Sequence, residues 1–324
     1  MPRVTPRSIG LKGSEGVVRD VTPIHKLIAF VRLGRPLHLV GGVLFNGLGM
    51  SIAHFLGAPI DWTTAVWGQV AITSIQLMTH YSNDYFDQDA DQAAVMPTRW
   101  ASGSRVLPEG TLSPRVALVA ALFLAGLALL ATAIVTAASA SPVQTMVLLL
   151  LAILLAWSYS SPPLFLNRRG WGEVTGSVLV PILTTLVGFQ IQTGELALLP
   201  LLAALPLGCF QFSMLLSVNF PDAEGDATVD KRTLVVTFGR QRAGMLFVAA
   251  LVLAYGLLPV LIWLGLPPLA AGSVLLTLPL AIWQIWRIHR GAASDPTQWN
   301  ALAFWSIGLL MSTTVLEMIA FLLA

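Results

Sequence analysis

Two acidic stretches carry the residues that could do chemistry. The first, Asn83-Asp84-Tyr85-Phe86-Asp87-Gln88-Asp89-Ala90-Asp91, spaces Asp84, Asp87 and Asp91 at i, i+3 and i+7, so on a helix they fall along one face. Carboxylates stacked in this way repel one another unless a cation lies between them. Hard oxygen ligands of this kind suit Mg²⁺, which keeps several waters and shares itself with substrate phosphates. The second stretch, Asn219-Phe220-Pro221-Asp222-Ala223-Glu224-Gly225-Asp226, spaces Asp222 and Asp226 at i, i+4 and runs on to Asp230, Lys231 and Arg232. For either stretch the plainer alternative is a solvated loop after a helix end. Together they can hold two cations across a diphosphate, neutralising its oxygens and helping it leave. The candidate metal ligands are therefore Asp84, Asp87, Asp91, Asp222 and Asp226.

Basic and polar residues beside the acids fit the same chemistry. Arg99 and Arg105 follow the first stretch within Arg99-Trp100-Ala101-Ser102-Gly103-Ser104-Arg105, whose small residues allow close backbone approach. Lys231 and Arg232 follow the second. Arg offers phosphate a planar fork and Lys a mobile point charge. The catalytic candidates are Asp84, Asn83, Lys231 and Arg105; Arg99, Arg232, Tyr159 and Asn219 are candidates for substrate binding. Other tempting residues read more simply. His38, His54 and His289 lack metal-ligand spacing, and His80 stands one turn before Asp84 as a supporting partner. Glu317 lies near the far end of an apolar run, where its carboxylate is expected to reach the membrane interface. Cys209, the single cysteine, is read as a small core side chain. There is no phosphate-cradling glycine loop, dinucleotide fingerprint or CxxC pair.

Membrane helices must position these residues. The chain has 324 residues, of which 56% are hydrophobic and only 10% charged, and its mean hydropathy is +0.77; a soluble domain carries about 25% charged residues. Nine apolar segments are long enough to cross a bilayer as helix, near 37–55, 63–81, 115–138, 142–160, 174–192, 196–218, 243–264, 268–288 and 300–323. All 18 Lys and Arg fall before the first segment or in the loops after the second, fourth, sixth and eighth. The positive-inside rule then places the N-terminus in the cytoplasm and the C-terminus outside. Both acidic stretches fall on the cytoplasmic side. An Asp exposed to lipid at mid-membrane would cost about 2.5 to 3.5 kcal/mol, so these face a wet cavity or the interface. The expected organisation is a polar cytoplasmic arm over 1–25 and an all-α, nine-helix bundle over 26–324. Pro221 removes a backbone donor and should end or kink the sixth segment.

At this point the residues resemble a known family. Asn83-Asp84-x-x-Asp87-x-x-x-Asp91 and Asp222-x-x-x-Asp226, on the second and sixth of nine segments, are similar to the two signatures of the UbiA superfamily of intramembrane prenyltransferases. The resemblance takes in Arg35-Pro36 ahead of the first segment. Within the family it leans towards the 1,4-dihydroxy-2-naphthoate polyprenyltransferases of menaquinone biosynthesis, through Leu112-Ser113-Pro114-Arg115, Gly172-Glu173-Val174, Gln192-Thr193-Gly194-Glu195 and Lys231-Arg232-Thr233-Leu234. Tyr159-Ser160-Ser161-Pro162-Pro163 looks equally like other branches, whose acceptors are a chlorophyllide, homogentisate or glyceryl phosphate. Asp230 stands where the family often has Gly. The resemblance implies Mg²⁺-dependent ionisation of a polyprenyl diphosphate and attack by an aromatic ring, which in the menaquinone branch also loses its carboxylate. The implied partners are those two substrates and the lipid bilayer of the cell inner membrane, with no nucleic acid. A secondary transporter is the competing class, but its acids belong near mid-membrane in broken helices, whereas these cluster at one face.

Overall fold

The computed structural model describes residues 22–324, and the described residues contain helices and no strand. The first 21 residues of the expected arm lie outside them; Pro23 to His25 already belong to a helix. In chain order the helices are Pro23–Leu33 (α1), Pro36–Phe55 (α2), Trp62–Phe86 (α3), Gln88–Ala93 (α4), Pro114–Ala138 (α5) and Pro142–Ser160 (α6). Next come Gly172–Ser177 (α7), a π-helical turn Val178–Leu183, and Thr184–Thr193 (α8), which run on as one 22-residue rod. Then follow Leu198–Asn219 (α9), Ala223–Thr228 (α10), Leu234–Gly256 (α11), Leu258–Trp263 (α12), Pro268–Leu275 (α13), Leu278–His289 (α14) and Pro296–Leu323 (α15).

The sequence starts these helices with recognisable chemistry. Proline stands in the first turn of α1, α2, α5, α6, α13 and α15, where its fixed φ suits a helix and its missing N–H costs nothing. Asp61 caps α3 by accepting from the Thr63 and Thr64 amides at 2.8 and 3.0 Å, and Asp295 caps α15 through the Thr297 amide at 3.0 Å. Packing then sorts the bundle into two large cores and a smaller one that joins α1, α3, α5 and loop residues Val106 and Leu107. One large core, around Ile72, Met78, Leu149 and Val187, joins α3, α5, α6 and α8. The other, around Phe45, Phe210, Phe247 and Phe321, joins α2, α9, α11 and α15. α5 buries Ala117, Ala121, Ala128 and Ala131, a small-residue stripe that lets helices approach closely without a hydrophobic drive. Large apolar side chains such as Val119, Phe123, Leu154 and Val252 point outward, as lipid contact requires.

Seven helices are long and apolar enough to cross a membrane, or eight if α13 and α14, bent by 41°, form one span. By length and composition, the described helices do not confirm the expected count of nine. α3 is the shortfall: its 25 residues are long enough, but Gln69, Thr73, Gln76, Thr79 and His80 make it too polar to qualify. The physical reason is position, since Gln76, Thr79 and His80 line the central cavity. A second correction concerns α1, a helix the sequence reading did not foresee. A third is Glu317, which is fully buried with neither carboxylate oxygen hydrogen-bonded among the described residues. α15 packs against α2, α9 and α13, and the carboxylate is enclosed by protein rather than turned outward.

Candidate active site

The two acidic stretches meet at one end of the bundle. α3 does not carry Asp84, Asp87 and Asp91 on one continuous helix: it stops at Phe86, Asp87 leaves helical geometry (φ −101°, ψ 12°), and the short α4 carries Asp91. α9 likewise ends at Asn219, just before Pro221, and α10 carries Asp226. The two six-residue helices then touch. A Cβ on Gly225 would fall 2.6 Å from the Ala93 carbonyl, so that contact requires glycine.

Loop 101–105 closes over both stretches. The Ser102 amide donates to Asp222 at 2.9 Å and its hydroxyl donates to the same carboxylate. The Ser104 hydroxyl donates to Asp84. Gly103 lies between them at φ 69°, and a Cβ there would overlap Asp91. Ser102 and Arg105 also hold positive φ, 64° and 66°, a conformation that costs non-glycine residues and persists only where surroundings impose it.

Within this frame each carboxylate has a different partner. Asp84 is buried and paired with Arg35. Asp87 accepts from Asn83 at 2.8 Å, from Asn167, and from Arg168 at 3.1 Å. The Lys231 ammonium lies 3.5 Å from Asp87 and 3.4 Å from Asp226 and so bridges the two stretches. Burial alone would pull the Lys231 ammonium down, but Asp87 and Asp226 outweigh it and hold it above its ordinary range. Burial, with nearby Asp84, pushes the Asp91 carboxyl up to about 8. Burial also pushes Asp226 up to about 6 against the pull of Lys231, and raises Asp222 against its bonds from Ser102.

The acids sit at the polar end of a cavity of about 450 Å³. Asn83, Asp87, Asp91, Asp222 and Lys231 line that end, and Tyr159 and Asn219 line the wall beside it. Phe45, Leu179, Val180, Leu310 and Met311 line the remainder together with the polar Gln76, Thr79, His80 and Gln211. Leu179 and Val180 belong to the π-helical turn, a wider coil often found at functional sites. Asp84 and Asp226 stand just behind the lining. Arg105 does not line the cavity; its guanidinium donates to the Asp91 carbonyl. Arg99 and Arg232 are exposed, Arg99 stacked on Trp100 with its guanidinium carbon 5.3 Å from the ring centroid, and Arg232 on Asp230 at 3.0 Å. Neither faces the cavity.

Among the described residues, no three His, Cys, Asp or Glu side chains converge closely enough to hold a metal ion by themselves. The donor set nevertheless suits a hard cation. Asp91 Oδ2 and Asp226 Oδ2 are both buried without a hydrogen-bond partner among the described residues, one on each acidic stretch. A cation that takes its remaining ligands from water and phosphate fits such donors.

Several site residues had no clear signature in the sequence. Arg35, at φ 45°, donates to Asn83 at 3.1 Å as well as pairing with Asp84. Arg168 could be explained by membrane topology alone. His38 lines the cavity with its ring 6.0 Å from that of His80. Glu173 stands buried on α7; the sequence marked it only within Gly172-Glu173-Val174, as a point of resemblance and not as a site residue.

Comparison with known proteins places the chain in a family and a fold. The model of the UbiA prenyltransferase family matches residues 43–308. The chain is 29% identical over 252 residues to the 1,4-dihydroxy-2-naphthoate octaprenyltransferase of Mycobacterium tuberculosis, covering 76% of this chain and 82% of that one. Among solved structures, a digeranylgeranylglyceryl phosphate synthase superposes with a TM-score of 0.64 at 14% identity, over 92% of this chain and 99% of that one. A UbiA homolog from Archaeoglobus fulgidus bound to GPP and Mg²⁺ superposes with a TM-score of 0.59 at 16% identity, over 89% and 99%. At these identities the structures speak for the fold.

Proposed function

The chain belongs to the UbiA prenyltransferase family, and from that premise we propose that it moves the prenyl group of a polyprenyl diphosphate onto 1,4-dihydroxy-2-naphthoate in menaquinone biosynthesis. The acceptor follows the mycobacterial relative that shares most of this chain. The observation that carries the site assignment is the pair of acidic stretches bridged by Lys231 at one end of a largely apolar cavity.

Asp87, Asp91 and Asp222 face the diphosphate, with Asp84 and Asp226 immediately behind them. The two unpartnered oxygens of Asp91 and Asp226 are the donors with which Mg²⁺ fits. Asp91 and Asp226 would hold Mg²⁺ there, and its charge would supply neutralisation of the diphosphate oxygens as the leaving group departs. Lys231 sets a positive charge beside the same oxygens and ties the two stretches at a fixed separation. Asn83 holds Asp87 and Ser160 together, each at 2.8 Å. Arg105 acts through the Asp91 backbone. Tyr159 and Asn219 form the wall against which the aromatic ring lies. The largely apolar remainder excludes water, which would quench an allylic cation, and receives the first isoprene units. The longer tail leaves into lipid.

The distribution of charge supports a cytoplasmic N-terminus and a site opening to the cytoplasm, with α3 crossing as a ninth span whose polar face the cavity solvates and the C-terminus outside. The test uses detergent-purified protein, Mg²⁺, a labelled polyprenyl diphosphate and 1,4-dihydroxy-2-naphthoate, with the product read by mass. The expected product is a prenylated, decarboxylated naphthol that disappears with EDTA. Consumption of the diphosphate without that product overturns the acceptor, and no Mg²⁺-dependent consumption overturns the reading as a whole.

A further inference from the structure

Among the described residues, Glu173 is the one buried carboxylate lining the cavity outside the two acidic stretches. It stands on the first turn of α7 and is 1% exposed. One of its oxygens, Oε1, accepts from Asn219 Nδ2 at 2.9 Å and from the Leu234 amide at 3.0 Å. Those bonds join the start of α7 to the end of α9 and the start of α11. The other oxygen, Oε2, is buried and has no hydrogen-bond partner among the described residues. A carboxylate oxygen without a donor costs several kcal/mol when buried, and here the wall that holds it belongs to the cavity. The side chain is fixed by two donors at one oxygen, which leaves the second presented in a set direction. Tyr159 and Asn219 line the same part of the wall.

We propose that Glu173 is a catalytic residue whose Oε2 accepts the hydroxyl proton of the aromatic acceptor. The proposal rests on the acceptor reading above, because it needs a ring that carries a hydroxyl. The allylic C–O bond breaks and its electron pair leaves on the diphosphate oxygen. The ring carbon that bears the carboxylate, beside the hydroxyl, supplies the pair for the new C–C bond. The hydroxyl proton passes to Oε2, so the ring becomes a neutral dienone and carries no positive charge. Loss of the carboxylate as CO₂ returns its pair to the ring, and the proton returns from Oε2 to the oxygen. Glu173 ends each turnover as it began. A positioned proton acceptor contributes about 10² to 10⁴ in rate.

The deciding variant is Glu173→Gln, whose amide oxygen can still accept from Asn219 and Leu234 while Oε2 is lost as a base. In the full-length purified protein we expect kcat for naphthoate prenylation to fall by about 100-fold or more. Binding of a non-ionising prenyl thiodiphosphate with Mg²⁺, and the Tm, should be unchanged. A ring-fluorinated dihydroxynaphthoate already ionised at the assay pH should restore most of the lost rate in Glu173→Gln, since its proton is gone before the ring attacks. Glu173→Ala, which loses the brace as well, should melt earlier. Wild-type kcat in Glu173→Gln overturns the proposal. So does a loss of turnover accompanied by loss of thiodiphosphate binding and no rescue by the acidic acceptor, because a purely structural brace behaves that way. A wild-type protein that makes no prenylated naphthol overturns the acceptor reading first, a result distinct from a working wild type matched by its variant.

Discussion

The two acidic stretches are built alike and held differently. Each follows a long helix, breaks at its end and carries its last carboxylate on a six-residue helix. The first stretch is satisfied by the protein itself: Asp84 by Arg35 and Ser104, Asp87 by two amides and two cations. The second is looser. Asp222 rests on the Ser102 loop and Asp226 on Lys231 alone. Charge that the protein has already paired is a frame, and charge it has left partly unpaired is available to a ligand. Asp91 sides with the second stretch in this respect, since its Oδ2, like that of Asp226, lacks a partner among the described residues.

Substitution of one carboxylate in each stretch tests this contrast most strongly. Asp226→Ala should lower turnover by about 10³-fold, since charge stabilisation at the diphosphate is worth several kcal/mol, and leave Tm near wild type because Lys231 keeps Asp87. Asp84→Ala should lose turnover equally and also lose about 1 to 3 kcal/mol of stability, because the partly exposed Arg35 and the Ser104 hydroxyl lose their charged partner. Thermal unfolding alongside assays of both variants reads this; equal Tm values would erase the distinction between frame and ligand site. Removing the bridge comes next. Lys231→Met should weaken prenyl diphosphate binding by roughly 30-fold, the scale of truncating one member of a buried charge pair, measured by titration with a thiodiphosphate analogue.

Acidity gives a smaller and graded effect. Burial raises Asp91 to about 8 and Asp226 to about 6, against about 3.9 for an unfolded Asp. The folded, unliganded protein therefore binds more protons than the unfolded chain between about pH 4 and 8, and its stability falls as pH rises through that window. A cation needs both groups ionised. The rise in Tm on adding Mg²⁺ and prenyl diphosphate should thus be larger at pH 8.5 than at pH 6, and a rise that shrinks with pH would contradict these assignments. The smallest effect belongs outside the cavity: Arg99→Ala and Arg232→Ala should keep kcat and KM within about twofold, as exposed positions do.

The membrane class, the helical bundle, the two acidic stretches and the place where Pro221 stops α9 were all legible in the sequence. Each depends on local composition or on spacing along one segment. Asp84, Asp87, Asp91, Asp222 and Asp226 could be marked because clustered carboxylates in an apolar chain demand a cation or water. The sequence reading counted α3 among nine spans, yet by composition α3 does not stand out as one, because its polar face forms the cavity wall. Asp230 stands where the family often has Gly, and its φ of 56° gives the reason, since Asp tolerates the left-handed turn that glycine adopts freely.

What only the tertiary structure decided is which charge meets which. Arg35 lies 49 residues before its partner Asp84, Lys231 joins stretches far apart in the chain, and Arg168 reaches back to Asp87 from a loop that topology alone could explain. Arg99 and Arg105 are alike in sequence, yet one stacks on the surface and the other closes on the Asp91 backbone. Glu173 becomes a candidate catalytic group only because the ends of α9 and α11 converge on one of its oxygens and leave the other free. Type and local spacing are fixed by covalent order. Pairing is a property of packing, set by how the two large cores bring the helix ends together around one cavity.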